Sequence, residues 1–405
     1  MTLSRRDLIA TAAAGGTMLA TNAAAQSGPQ PVQGGQGAPI IGPRNPAREA
    51  EDPNTISPPS TDHGTIPNLK WSFADSHMRL EEGGWARQTT TRELPISKEM
   101  AGVNMRLKHY VVREMHWHKE AEWAFILKGS ARITAVDQEG RTFADDVHAG
   151  DLWYFPGGIP HSIQGLPSAD IDGVEFLLVF DDGDFSEDST FLLTDWLAHT
   201  PRDVLAKNLG VTEDQLAPLP KKELYIFPGA PPSPTLAGDT MHGNGKVPES
   251  FSHRMTAQAP IKLKGGEVRI TDTRQFPASK TISAALVDLE PGALRELHWH
   301  PNGDEWQYYI EGQGRMTVFA SESKARTFDY QAGDVGYVPR AMGHYIENTG
   351  TTRLRFLEVF RAPLFQDLSL TQWLALTPHQ LVQSHLKIDR ALIDGLPATK
   401  QLVVR

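Results

Sequence analysis

The chain has 405 residues, 40% of them hydrophobic and 22% charged, and a formal net charge of −10. Such a length allows two or three domains with large cores, and the acidic balance argues against a nucleic-acid or anionic-membrane partner. Cysteine is absent, which excludes disulfides, thiolate metal sites and cysteine nucleophiles, so any metal must sit on nitrogen and oxygen ligands.

The N-terminus runs Ser4, Arg5, Arg6 and Asp7, then a short apolar stretch from Leu8 to Ala20, then Ala23-Ala24-Ala25 before Gln26. That order predicts a removable export signal over 1–25. The paired arginines resemble a twin-arginine signal, the type that exports folded proteins, so the mature chain is expected in the periplasm or outside the cell. Cleavage would remove two arginines and one aspartate, making the net charge one unit more negative. No later apolar run approaches the ~20 residues that span a bilayer, and no membrane association is expected after signal removal. Residues 26–65, rich in Pro, Gly, Gln and Ala, predict an arm or linker.

From about residue 65 the sequence repeats itself. Arg92-Glu93-Leu94-Pro95 leads to Arg113-Glu114-Met115-His116-Trp117-His118, and at the same internal spacing Arg274-Gln275-Phe276-Pro277 leads to Arg295-Glu296-Leu297-His298-Trp299-His300. Gly150-Asp151 returns at nearly the same interval as Gly333-Asp334, and Trp196-Leu197-Ala198 at a slightly shorter one as Trp373-Leu374-Ala375. A duplication explains all three. It gives one domain over 66–237 and a second over 238–405, with the join in the Gly/Pro-rich stretch 228–248. Short runs such as 123–127, 131–136, 152–155 and 176–180 are rich in β-branched and aromatic residues and are separated by Gly, Asp and Pro. They predict a mainly β class, sandwich or barrel, with helices only near 191–215 and 368–395.

His116 and His118 lie two apart, so on a strand both face the same side. Glu122 follows past a turn, and His161 arrives on another strand after Pro156-Gly157-Gly158. Copy two repeats the set as His298, His300, Glu305 and His344. A single His-X-His is a weak signal, but two matching sets of three imidazoles and one carboxylate predict two metal sites. By ligand type these suit Zn, Fe, Mn, Ni or Cu.

The same residues carry a family resemblance. Copy two has the first cupin motif at Gly292, His298, His300, Glu305 and Gly312, and most of the second at Gly333, Pro339, His344 and Asn348. Copy one matches at His116, His118, Glu122, Gly129, Gly150, Pro156, Gly158 and His161. It departs with Tyr110 for the leading glycine and Gly165 for the closing asparagine, and copy two departs with Ala341 for a glycine. The chain thus resembles the cupins, which are jelly-roll β-barrels. Two tandem cupin domains, each with a few helices after its barrel, are expected. Among cupins it is similar to the bicupin oxalate decarboxylases, which implies Mn2+ at both sites, oxalate as substrate and dioxygen as co-catalyst.

Three further features bear on the reaction. Arg113 and Arg295 precede the first histidine of each set by three, on the opposite face by strict alternation unless a bulge re-aims them. The resemblance implies an arginine that reaches the substrate beside the metal. The stretch from the last histidine to the shared tryptophan, 161–196 in copy one and 344–373 in copy two, is longer in copy one, and part of the excess is the acidic run 181–190. That run is a candidate lid. Its Ser186-Glu187-Asp188-Ser189 resembles the decarboxylase lid, whose glutamate supplies the proton that completes formate, with Asp188 where the bacterial pattern has asparagine. Glu358 lies on a copy-two strand where copy one has Leu178, and could act on protons or pair with Arg295. Trp117 and Trp299, between paired histidines, should point away from the metal.

The resemblance therefore implies decarboxylation of oxalate to formate and carbon dioxide, mainly in copy one, with Glu187, Arg113, Glu358 and Arg295 as candidate catalytic residues. The alternatives are an oxalate oxidase giving carbon dioxide and hydrogen peroxide, and a non-catalytic periplasmic manganese-binding cupin. A sugar isomerase or a dioxygenase for larger substrates ranks lower. A homo-oligomer is expected, since cupins commonly assemble.

Overall fold

A computed structural model describes residues 38–239 and 243–405. The expected signal over 1–25 lies outside the described residues. The fold is mainly β, as two barrels in tandem. In the first, strand Glu122–Val136 runs unbroken through both faces, so its strands join in one 12-stranded sheet. In the second the equivalent stretch breaks at Gly312 (φ 86°) into Glu305–Glu311 and Gln313–Ala320, which leaves a seven-stranded and a six-stranded sheet. Helices Leu193–Ala198 and Arg202–Leu209 follow the first barrel, and Leu370–Leu376, His379–Leu386 and Arg390–Asp394 follow the second. Among the described residues no helix is long and apolar enough to cross a membrane.

The expected boundaries at 66 and 238 do not coincide with the sheets. Strand Lys70–Ser72 pairs with Asp334–Val338 of the second barrel, and Ser252–His253 pairs with Leu152–Phe155 of the first. Each barrel is thus edged by a strand from the other's leading segment, which covers an otherwise open edge. The arm contributes too: Asp62 accepts from Thr327 N–H at 2.9 Å, and Lys70 donates to Asp52 at 2.6 Å. Phe73, Trp123 and Trp153 share one buried core with Trp306, Tyr308 and Tyr337, so the apolar surface between the barrels is continuous.

The three departures from the cupin motifs keep their turns. Tyr110 holds the left-handed backbone that Gly292 holds in copy two (φ 63° and 73°), and Ala341 does so where copy one has Gly158 (67° and 81°). A side chain there is strained, so the surrounding hydrogen bonds must hold it; Tyr110 N–H donates to Gly165 O at 2.7 Å. Gly165 itself is required by space, because a Cβ would stand 2.2 Å from Lys108 O.

Candidate metal centres

Strand Val111–Trp117 carries His116, which lies directly across from His161 at the start of strand His161–Gly165. His118 follows the first strand and Glu122 opens the next, so four buried side chains converge. Their ligand atoms all lie within 4.8 Å of one another, as do those of His298, His300, Glu305 and His344.

The hydrogen bonds select which atoms are free. In the first centre Nδ1 of His116, His118 and His161 meets the carbonyls of Glu114, Glu120 and Ile159 at 2.6, 2.7 and 2.8 Å. In the second, Nδ1 of His298, His300 and His344 meets Glu296, Gln366 and Met342 at 2.6, 2.8 and 3.0 Å. A carbonyl accepts only, so each Nδ1 carries the proton and each Nε2 lone pair faces the cavity. The carboxylates are oriented likewise: Trp153 Nε1 donates to Glu122 Oε1 at 2.7 Å and Gln307 Nε2 to Glu305 Oε1 at 2.8 Å. Nε2 of His161 and of His344 and Oε2 of Glu305 are buried without a well-formed hydrogen bond, His344 Nε2 and Glu305 Oε2 facing each other at 2.7 Å across the cavity. Uncompensated polar atoms at that depth are costly, and a divalent cation would satisfy them. The residues fit a metal. Burial, with Arg113 close by, holds His116 well below the usual imidazole range, and burial lowers His161 against the pull of Glu122. Burial opposes ionisation of Glu122, yet the imidazoles of His161 and His118 bring its carboxyl far below the usual range.

Strict alternation does not hold at the arginines. A register shift falls between Arg113 and His116, and another between Arg295 and His298, and each bulge turns the guanidinium inward. Arg113 is 1% exposed and its Nη2 donates to Glu187 Oε2 at 3.1 Å. Glu187 lies on the short 3-10 turn Glu187–Ser189, whose first turn is capped by Ser186 Oγ, and is 7% exposed. Its backbone N–H donates to Gln88 Oε1 at 3.1 Å, and Tyr225 Oη donates to its Oε2 at 2.8 Å. Arg79 and Arg113 both stand over the Tyr225 ring, 3.5 and 4.3 Å from its centroid. Burial and the neighbouring Glu187 charge hold the Tyr225 phenol well above its ordinary range, so it remains a donor.

In the second barrel Arg295 is bound twice, by Glu358 Oε1 at 3.0 Å and Asp367 Oδ2 at 2.6 Å. Lys400, near the C-terminus, holds Asp367 through both its side chain and its carbonyl. Glu358 is therefore an arginine partner, and burial pushes its carboxyl up despite Arg295. Trp117 lies against Phe191 and Trp196, and Trp299 against Trp373, centroids 5.4–5.7 Å apart, on the outer side of each barrel.

Sequence reasoning missed Tyr225, Gln88, Asp367 and Lys400. One signal existed: Leu402 follows Tyr225 at the same interval at which Trp373 follows Trp196. The carbonyls of Tyr225 and Leu402 accept from Nη1 of Arg113 and Arg295 at 3.5 and 3.4 Å.

A barrel of this topology with three histidines and a glutamate at its centre is the cupin arrangement, and the cupin family model matches residues 73–217 and 254–394. The chain belongs to that family. It is 57% identical to oxalate decarboxylase OxdC of Bacillus subtilis over 378 residues, 93% of this chain and 97% of that protein. It is 41% identical to a probable oxalate decarboxylase of Arthroderma benhamiae, over 93% of each chain. A solved structure of the Bacillus subtilis enzyme, from work on its Mn(II) centres, superposes with a TM-score of 0.90 over 93% of this chain and 99% of that one.

Proposed function

We propose that the chain decarboxylates oxalate to formate and carbon dioxide, with manganese in both centres, dioxygen as co-catalyst, and chemistry mainly in the first barrel. The observation that carries this reading is the buried meeting of Arg113 and Glu187 at 3.1 Å beside the first centre. It joins an anion-binding group to a proton-carrying group on a short turn. The curated oxalate decarboxylases similar to this chain support it, and simple metal storage would require neither residue.

Manganese together with dioxygen would supply the one-electron chemistry that loosens the carbon–carbon bond. The protein does the rest. Arg113 exchanges Glu187 for a substrate carboxylate, which its planar fork matches, and stabilises charge as carbon dioxide leaves. Glu187 accepts hydrogen bonds from Arg113 and Tyr225 through Oε2. It takes the proton of hydrogen oxalate and returns it to the remaining carbon. A proton leaves oxygen and arrives on carbon, so hydrogen oxalate becomes formate and carbon dioxide with no net oxidation. Tyr225 and Gln88 hold the turn closed over the site and limit water access. Late proton delivery would let dioxygen take the electron and give peroxide instead.

Glu358 and Arg295 serve the second centre as a buried ion pair in this reading, not as acid and base. Export under the 1–25 signal remains part of the proposal, tested by locating a mature N-terminus at Gln26 in the periplasmic fraction. The exposed Trp196 and Trp373 faces support a homo-oligomer. The main test is the formate and peroxide formed per oxalate by manganese-loaded protein under air. About one formate with little peroxide supports the decarboxylase; mostly peroxide makes it an oxidase, and no turnover with both metals bound makes it a store.

A further inference from the structure

Outside the lid lies a cleft of about 250 Å³ whose lining includes His77, Arg79, Arg87, Arg92, Glu187 and Tyr225. The acidic groups around it are engaged. Glu187 is held by Arg113 and Tyr225, and Glu93 accepts from Thr90 N–H and Oγ1 at 2.8 Å each. Asp188 Oδ1 is 3.9 Å from Arg79, which also binds Glu81 at 2.9 Å and Glu223 at 2.7 Å. Two arginines differ from these. Arg87 donates to neutral oxygens, Asn104 Oδ1 and Phe73 O, both at 3.0 Å, and lies over the Trp85 and Phe73 rings at 5.3 and 5.5 Å, with no carboxylate in an ion pair with it among the described residues. Arg92 has a side chain 58% exposed, and the carboxylate nearest it in an ion pair is Glu93 at 4.0 Å.

The internal duplicate gives the control. Arg269 and Arg274 follow Arg87 and Arg92 at the interval that separates His298 from His116, and so are their counterparts in copy two. Arg269 binds Glu267 at 2.6 Å with Asp288 4.0 Å away, and Arg274 is gripped by Asp272, with Nε at 2.9 and 3.2 Å. At the positions of Glu267, Asp288 and Asp272 copy one has Trp85, Arg106 and Thr90. The strand register is the same, Trp85 opposite Arg106 and Glu267 opposite Asp288. Copy one has kept both arginines at the mouth beside Glu187 and lacks all three of those acidic partners, and its one added acid, Glu93 where copy two has Gln275, stands 4.0 Å from Arg92.

We infer that this cleft is an antechamber that binds small dicarboxylate anions on Arg87 and Arg92 before the lid admits them. The inference rests on the proposed oxalate chemistry for its ligand. A chain of net charge −10 repels a dianion at long range, and guanidiniums without a close carboxylate, set in a cleft, reverse that locally. The planar fork of each also matches a carboxylate.

The test compares wild-type holoenzyme with Arg92→Glu, Arg92→Gln and the duplicate control Arg274→Gln. Arg92 is exposed, so its replacement leaves the fold intact, checked by metal content and thermal unfolding. Arg92→Glu should lower kcat/KM for oxalate about five- to tenfold and flatten its ionic-strength dependence, with Arg92→Gln between. Arg274→Gln should change neither. Saturated kcat and the formate-to-peroxide ratio should stay at wild-type values in all four proteins. Unchanged kcat/KM in Arg92→Glu overturns the antechamber, and so does a fall in kcat with more peroxide, which would put Arg92 in the lid chemistry. If wild-type protein itself makes no formate, the decarboxylase reading fails separately. Calorimetry with oxalate then decides the antechamber: weaker binding in Arg92→Glu than in wild type upholds it, and equal binding removes it.

Discussion

The two barrels carry the same four ligands and the same preceding arginine, yet the arginines are committed differently. Arg113 has one carboxylate partner, Glu187, on a turn of three residues, backed by a neutral phenol. Arg295 has two, Glu358 on a barrel strand and Asp367, itself fixed by Lys400. In the proposed mechanism a substrate carboxylate replaces Glu187 at Arg113. At Arg295 it would have to displace a buried ion cluster and leave charges unpaired, at several kcal/mol. Matching ligand sets thus give one buried arginine with a single carboxylate partner and one held by two.

The sharpest break of this comparison is Glu187→Gln beside Glu358→Gln. Formate production should fall about 10²- to 10⁴-fold in the first and keep its product ratio in the second, with manganese content unchanged in both by metal analysis. Next, Arg295→Met should destabilise the protein by about 3–5 kcal/mol, because it strands two buried carboxylates, read by urea unfolding of the metal-loaded protein.

A pH series sharpens the same contrast. Burial pushes the Asp367 carboxyl up, and Arg295 and Lys400 more than reverse this, leaving it below the ordinary range. Its stabilisation is then complete above the unfolded value of about 3.9 and is lost as pH falls through the lower folded value. The stability gap between wild type and Asp367→Asn should be constant at neutral pH and shrink below about pH 4. Tyr225→Phe keeps the ring beneath the two guanidiniums and removes one hydrogen bond of about 1 kcal/mol. It should raise the peroxide fraction about fivefold without affecting metal content. The smallest effect belongs to Asp188→Asn, whose pair with Arg79 is long and exposed. The product ratio should move less than about threefold, and the change should vanish at high salt.

Residues local in sequence were the legible ones. His116, His118 and Glu122 could be grouped from strand alternation, and the second copy repeated the pattern independently. The extra length of copy one that carries Glu187 was readable in the same way. Asp367 and Lys400 were not, because Lys400 reaches Asp367 across 33 residues of helices and loop. The inward turn of Arg113 was not readable either, since a bulge depends on how many residues the partner strand offers. Tyr225 had a faint signal in the interval it shares with the repeated tryptophans, but nothing in its neighbourhood marks it as the partner of a glutamate 38 residues earlier.

By itself the sequence determined the β class, the duplication and the two ligand sets, because side-chain period and repeat spacing are properties of the chain alone. Only the tertiary structure decided which strands the barrels exchange, where the arginines point and which carboxylates hold them. Those outcomes depend on which distant segments meet, and on whether a buried charge finds one partner there or two.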